Sequence, residues 1–132
     1  MPDDFQLSDL QLSLMRTLWE RGEAGASEIQ RLLADSGRDL AQTTVSTLLG
    51  RLSKRGLVLT RRQGRGFVYQ PAIAESEIRR SMVTRVTDNL FDGDVTALVS
   101  HLLRSSDITR DDLAEVRRLI AEAEHSKESD HE

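Results

Sequence analysis

The chain has no cysteine, and that absence removes several chemistries at once. No disulfide framework can staple it, no thiolate can act as a nucleophile, and no cysteine-based zinc or cluster site can form. Nothing suggests an oxidising compartment, and a cytoplasmic location is expected. Aromatic residues make up only 4% of the 132 residues, so the core has to be assembled from Leu, Val and Ile. No stretch approaches the roughly 18 apolar residues that a membrane span requires, and the opening MPDDFQLSDLQ is acidic without an apolar core region. Neither secretion nor membrane insertion is expected. What remains, 38% apolar and 30% charged, is the composition of an ordered globular protein of one ordinary domain, or of a small folded unit with a helical extension.

A further absence is local. From Thr43 to Gln70 the chain reads TTVSTLLGRLSKRGLVLTRRQGRGFVYQ, with Arg51, Lys54, Arg55, Arg61, Arg62 and Arg65 and no acid at all. Residues 1–40 carry four bases and eight acids, and residues 71–132 carry eight bases and fourteen acids, so a net charge of -4 conceals a segregated block of +6. A patch of this kind attracts phosphates through its local field and counterion release, while the acidic remainder limits non-specific adhesion. Overall charge is a poor guide to such a partner.

Hydrophobic periodicity places this block in a framework of helices. Ser8 and Gln11 have capping-box spacing ahead of a helix whose Leu10, Leu14, Met15 and Leu18 share a face and which Gly22 should end. A second box, Ser27 with Gln30, is expected to open a helix carrying Ile29, Leu32 and Leu33 that Gly37 stops. A third helix, from about Gln42 to Arg55, sets Val45, Leu48, Leu49 and Leu52 on one side and closes at Gly56. LVLTRR and FVYQP around the turn QGRG predict a β-hairpin in which Gly64 and Gly66 accept positive φ.

After Pro71 the helical period returns. Ile78, Met82, Val86 and Leu90 mark a helix that ends at Gly93, and Asp94 is placed to cap the next, with Val95, Leu98, Val99, Leu102 and Leu103. Thr109 and Asp112 box a last helix bearing Leu113, Val116, Leu119, Ile120 and Ala123. These three short helices have apolar faces but too little sequence to close a core, so a dimer interface is expected, the alternative being that they fold back on residues 1–70 of a monomer. The expected architecture is mainly α with a small β-hairpin, divided as 1–72, 73–124 and a disordered polar tail at 125–132.

If the leucines of the third helix face inward, Thr43, Ser46, Thr47, Gly50, Arg51 and Lys54 form one outward stripe. Small hydroxyls near its start can approach base edges or a thymine methyl, and Arg51 and Lys54 can reach phosphates. Gly50 in a helix costs about 1 kcal/mol relative to Ala; it either permits close approach to a groove floor or is tolerated on a solvated face. Arg61, Arg62 and Arg65 flank the hairpin turn, where a wing can grip the adjacent backbone. A helix stripe and a basic wing that are adjacent in sequence point to double-stranded DNA.

An enzyme is not expected. His101, His125 and His131 lie far from the stripe, no phosphate loop or metal motif is present, and Asp111 and Asp112 sit where helix capping accounts for them. No cofactor and no metal are implied. The competing reading is a winged helix that docks another protein without binding DNA, but that stripe offers Thr, Ser, Gly, Arg and Lys where a protein interface would favour aromatics.

Four stretches, LSDLQLSLMRTLW, TTVSTLLGRLSKRGLV, GRGFVYQP and DITRDDLAEVRRLI with the helices before it, resemble the BlaI/MecI penicillinase-repressor family, which is related to the copper-responsive repressors. The likeness spans Leu7 to Ala123. It implies an N-terminal winged helix-turn-helix that reads an inverted-repeat operator, a C-terminal three-helix region that forms a homodimer, and repression by blocking transcription. Carried over by position, DNA contacts fall on Thr43, Thr44, Ser46, Thr47 and Arg51, with Arg62 and Arg65 from the wing, and Trp19 matches a core position. The resemblance also implies a regulatory protease that cuts an Asn–Phe bond in the dimerisation region. The matching place here reads His101-Leu102, so the cleavage motif differs. The copper-responsive branch ends in a cysteine-rich motif, which this chain lacks.

Overall fold

In a computed structural model, which describes residues 5–130, the chain divides into two compact units, one ending at Val83 and one beginning at Thr84. The first contains helix α1 (Asp9–Arg21), strand β1 (Ala24–Gly25), helices α2 (Ala26–Asp35) and α3 (Gln42–Lys54), and strands β2 (Val58–Gln63) and β3 (Gly66–Pro71). Helix α4 (Glu75–Phe91) starts in this unit and ends in the second, which also holds α5 (Val95–Leu103) and α6 (Arg110–Asp130).

The predicted capping box of α1 forms: the Gln11 amide donates to Ser8 Oγ at 3.1 Å, and the Ser8 amide to Gln11 Oε1 at 3.0 Å. These bonds satisfy two groups that a helix start would otherwise leave unpaired. The second predicted box does not form. Helix α2 starts one residue before Ser27, with Gly25 at the cap. Ser27 is therefore inside the first turn, where its Oγ accepts from Gln42 Nε2 at 3.1 Å, while Gln30 Nε2 donates to the Leu40 carbonyl at 2.9 Å. Ser27 thus ties the start of α2 to the start of α3, and Gln30 ties the middle of α2 to the loop that leads into α3; the two do not form a box with each other.

Helix α3 ends as its sequence predicts. Gly56 has φ +78°, its amide reaches the Ser53 carbonyl at 3.0 Å, and the Leu57 amide reaches Leu52 at 3.0 Å, the paired bonds of a Schellman stop. That stop turns the chain directly into β2. The sheet has three strands in the order β1-β3-β2, all antiparallel, because Ala24 and Gly25 pair with Tyr69 and Val68 on the far edge of the hairpin. Two small residues carry no visible alternation, so the sequence offered no sign of β1. In the hairpin turn only Gly64 has positive φ, +61°, whereas Gly66 does not, which is the pattern of a type II′ turn.

Leu14, Met15, Leu18, Ile29, Leu33, Val45, Leu49, Leu52, Leu57 and Val58 fill the core of the first unit. Ile78 of α4 is buried among them at 1% exposure and Met82 packs against the cluster, so the compact unit extends past the expected boundary at residue 72. Ile78 therefore belongs to this core and not to the dimer surface to which periodicity assigned it, while Met82 is only partly buried against it. Trp19 is half-buried, its Nε1 donating to the Ile73 carbonyl at 2.9 Å, which is a structural role.

In the second unit the Asp94 cap on α5 forms, with the Ala97 amide donating to its Oδ1 at 3.1 Å. So does the Thr109–Asp112 box at the start of α6. Helix α6 runs on through the polar segment from residue 125 as far as Asp130. Upstream in the same helix, Arg118 pairs with both Glu115 and Glu122, and this contact holds the Glu115 carboxyl below the usual carboxylate range. The expectations for residues 131 and 132, His131 included, lie outside the described residues.

Candidate nucleic-acid interface

The outward face of α3 is set by what its inward face buries. Val45, Leu49 and Leu52 are fully enclosed and Leu48 nearly so, which leaves Thr43, Thr44, Ser46, Thr47, Gly50, Arg51 and Lys54 exposed. Thr43, Thr44, Thr47 and Arg51 line one shallow depression on that face. Among the described residues Arg51, Lys54, Arg62 and Arg65 make no ion pair, so their charges remain available to an external anion.

Thr47 is placed more specifically than helical periodicity alone could tell. Its Oγ1 donates to the Thr43 carbonyl at 2.9 Å, a local bond that takes the hydroxyl proton and fixes the rotamer. What it then presents outward is a methyl group and free lone pairs, suited to a thymine methyl or to an amino group of cytosine or adenine. At Gly50 a Cβ would meet nothing within 4 Å, so its lack of a side chain answers no crowding within the chain.

Strand pairing sorts the wing arginines onto two faces. Gln63 pairs with Gly66, Arg62 with Phe67, Arg61 with Val68 and Thr60 with Tyr69. Side chains alternate along a strand, so Val58, Thr60 and Arg62 share a face with Tyr69 and Phe67. That face is the α3 side: Thr60 Oγ1 lies 3.5 Å from Ser53 Oγ of α3, and Tyr69 packs against the core. Arg61 points the other way. Its guanidinium binds Glu23 Oε2 at 2.9 Å and Gln63 Oε1 at 3.0 Å, so of the three wing arginines it is the one tied to the scaffold.

Sequence reasoning overlooked a second depression, lined by Gly25, Ala26, Ser27 and Glu28 of β1 and α2, Gln42 and Ser46 of α3, and Gly66, Phe67 and Tyr69 of β3. Hairpin register would have located part of it, since a two-residue turn at Gly64-Arg65 sets Phe67 opposite Arg62. The contribution from β1 had no signal. His101 lies in the second unit, where its ring is 5.9 Å from that of Phe91. No group of three or more His, Cys, Asp or Glu among the described residues could hold a metal ion.

A tri-helical core, a three-stranded sheet and an outward basic helix beside a two-stranded wing together define the winged helix-turn-helix class of nucleic-acid-binding folds. The chain belongs to the penicillinase repressor family, whose pattern matches residues 7–122. It is similar to the transcriptional regulator BlaI of Mycobacterium tuberculosis (strain CDC 1551 / Oshkosh), with 32% identity over 120 residues covering 90% of this chain and 86% of the relative. It is also similar to the penicillinase repressor of Bacillus licheniformis, with 25% identity over 122 residues covering 92% and 94%. Among solved structures, the solution structure of the DNA-binding domain of the repressor BlaI matches with TM-score 0.51 and 32% identity, over 58% of this chain and 93% of that one.

Proposed function

We propose that this chain is a DNA-binding transcriptional repressor that acts as a homodimer on an inverted-repeat operator and blocks transcription in the cytoplasm. Each first unit would set α3 into a major groove. Thr43, Thr44, Ser46 and Thr47 would face base edges, with Arg51 and Lys54 on phosphates and Arg62 and Arg65 of the wing on the neighbouring backbone. The observation that carries this reading is the uncovered stripe on α3: its leucines are spent in the core while every polar residue on the opposite side stays exposed, beside cations that make no ion pair among the described residues. Family membership agrees with it.

The homodimer rests on the second unit. Val86, Leu90, Leu102, Leu119 and Ile120 are exposed, Leu98, Leu113 and Val116 are half-buried, and α5 buries no residue fully. Apolar surface on this scale is what a second copy would cover. As a repressor the chain would need no cofactor and would catalyse no reaction.

The decisive experiment is selection of bound DNA from random duplexes, which would yield an inverted repeat with half-sites about one helical turn, or a multiple of it, apart. With three or four phosphate-contacting cations per subunit, log affinity should fall against log salt with a slope of about -5 to -7. A flat response would remove the phosphate model. Exposed Phe67 and Leu59 on the hairpin are the observation that favours the protein-docking reading. That reading predicts no enriched DNA sequence.

A further inference from the structure

Leu59 and Phe67 are both about half exposed, at 53% and 51%, and they stand on opposite faces of the same hairpin. The face that carries Leu59 also carries Arg61, whose charge is balanced by Glu23. The face that carries Phe67 carries Arg62 directly opposite it, free of any ion pair among the described residues, and turns toward α3. There Phe67 lines a depression with Ser46 and Gln42 from the exposed side of α3. The acid at its edge, Glu28, is already held by Arg21.

An aromatic ring left half exposed beside a cation with no ion pair among the described residues calls for an occupant that is apolar where the ring touches and anionic around it. A nucleotide strand has that composition, with C–H faces on its deoxyribose and on the thymine methyl, flanked by phosphates. An acidic protein would supply carboxylates for Arg62 but no strand of regularly spaced phosphates between the wing and α3.

We infer that Phe67 is a DNA-contacting residue that packs its ring against an apolar edge of the operator strand passing between the wing and α3, while Arg62 holds the adjoining phosphate. This rests on the DNA-binding reading above. The ring excludes water from the contact and contributes affinity without charge. Leu59, on the opposite face, takes no part.

The test uses the full chain and an operator obtained by selection. Phe67→Ala should weaken binding about tenfold, the value of covering roughly half of a phenyl ring, and Phe67→Leu should recover most of the loss. Leu59→Ala should leave affinity unchanged. A salt series separates the contact from a merely structural role: Phe67→Ala should keep the wild-type slope, since no counterion is displaced by a ring, whereas Arg62→Ala should reduce its magnitude by about 1 per subunit. Replacing each operator thymine by deoxyuracil identifies the edge touched. If one replacement costs wild type but not Phe67→Ala, the partner is a C5 methyl; if none does while Phe67→Ala still weakens binding, it is deoxyribose. Either outcome supports the contact. Unchanged affinity of a folded Phe67→Ala protein, checked by circular dichroism, overturns it. Failure of the wild-type chain to bind any selected duplex instead overturns the DNA-binding reading beneath it.

Discussion

The two units solve the problem of apolar burial in opposite ways. Apart from Thr87, every buried side chain among the described residues lies in the first unit, where three helices and a sheet enclose leucines at or near zero exposure. In the second unit the stripes on α4, α5 and α6 are as regular in sequence, yet Leu90 stands 73% exposed and Leu102 51%. Periodicity marks which residues want cover; it does not say whether the same chain provides it. The first unit can be read as a finished scaffold and the second as half of one.

The sharpest way to break this contrast is to make one substitution in both units. Leu49→Ala should lower the stability of the first unit by about 2 to 5 kcal/mol, because a closed core cannot collapse around the cavity. Leu102→Ala should change urea unfolding little in a dilute, dissociated sample. Equal losses at both positions would mean that the second unit closes a core of its own. Next in size, Leu119→Asp should weaken self-association by about 2 to 3 kcal/mol, since an uncompensated charge would be buried on both sides of a symmetric contact. Sedimentation should then show monomers, and inverted-repeat binding should fall with them. An unchanged dimer would remove α6 from the interface.

Arg51→Ala should cost about 1 to 3 kcal/mol in operator binding and leave stability nearly unaltered, as its side chain is exposed and makes no ion pair among the described residues. A gel-shift series without loss would displace α3 from the groove. The smallest effect is expected at Gly50. With nothing within 4 Å of an added Cβ, Gly50→Ala should raise stability by about 0.5 to 1 kcal/mol through helix propensity. If operator affinity falls at the same time, the glycine serves close approach to the duplex; if affinity holds, it is merely tolerated on a solvated face.

The sequence alone determined the helices, three of their caps, the Schellman stop at Gly56 and the hairpin, because each depends on residues within a few positions of one another. It also determined which side of α3 faces out, since four inward leucine and valine side chains leave one arrangement for the rest. Tertiary structure alone decided what depends on distant neighbours. Strand β1 exists only because β3 offers a free edge to Ala24 and Gly25. Ser27 and Gln30 link α2 to α3 because those helices meet there. Ile78 lies in a core and not on an interface, Arg61 is held by Glu23, and Phe67 stands with Ser46, because burial, pairing and convergence are properties of space that spacing along a chain does not encode.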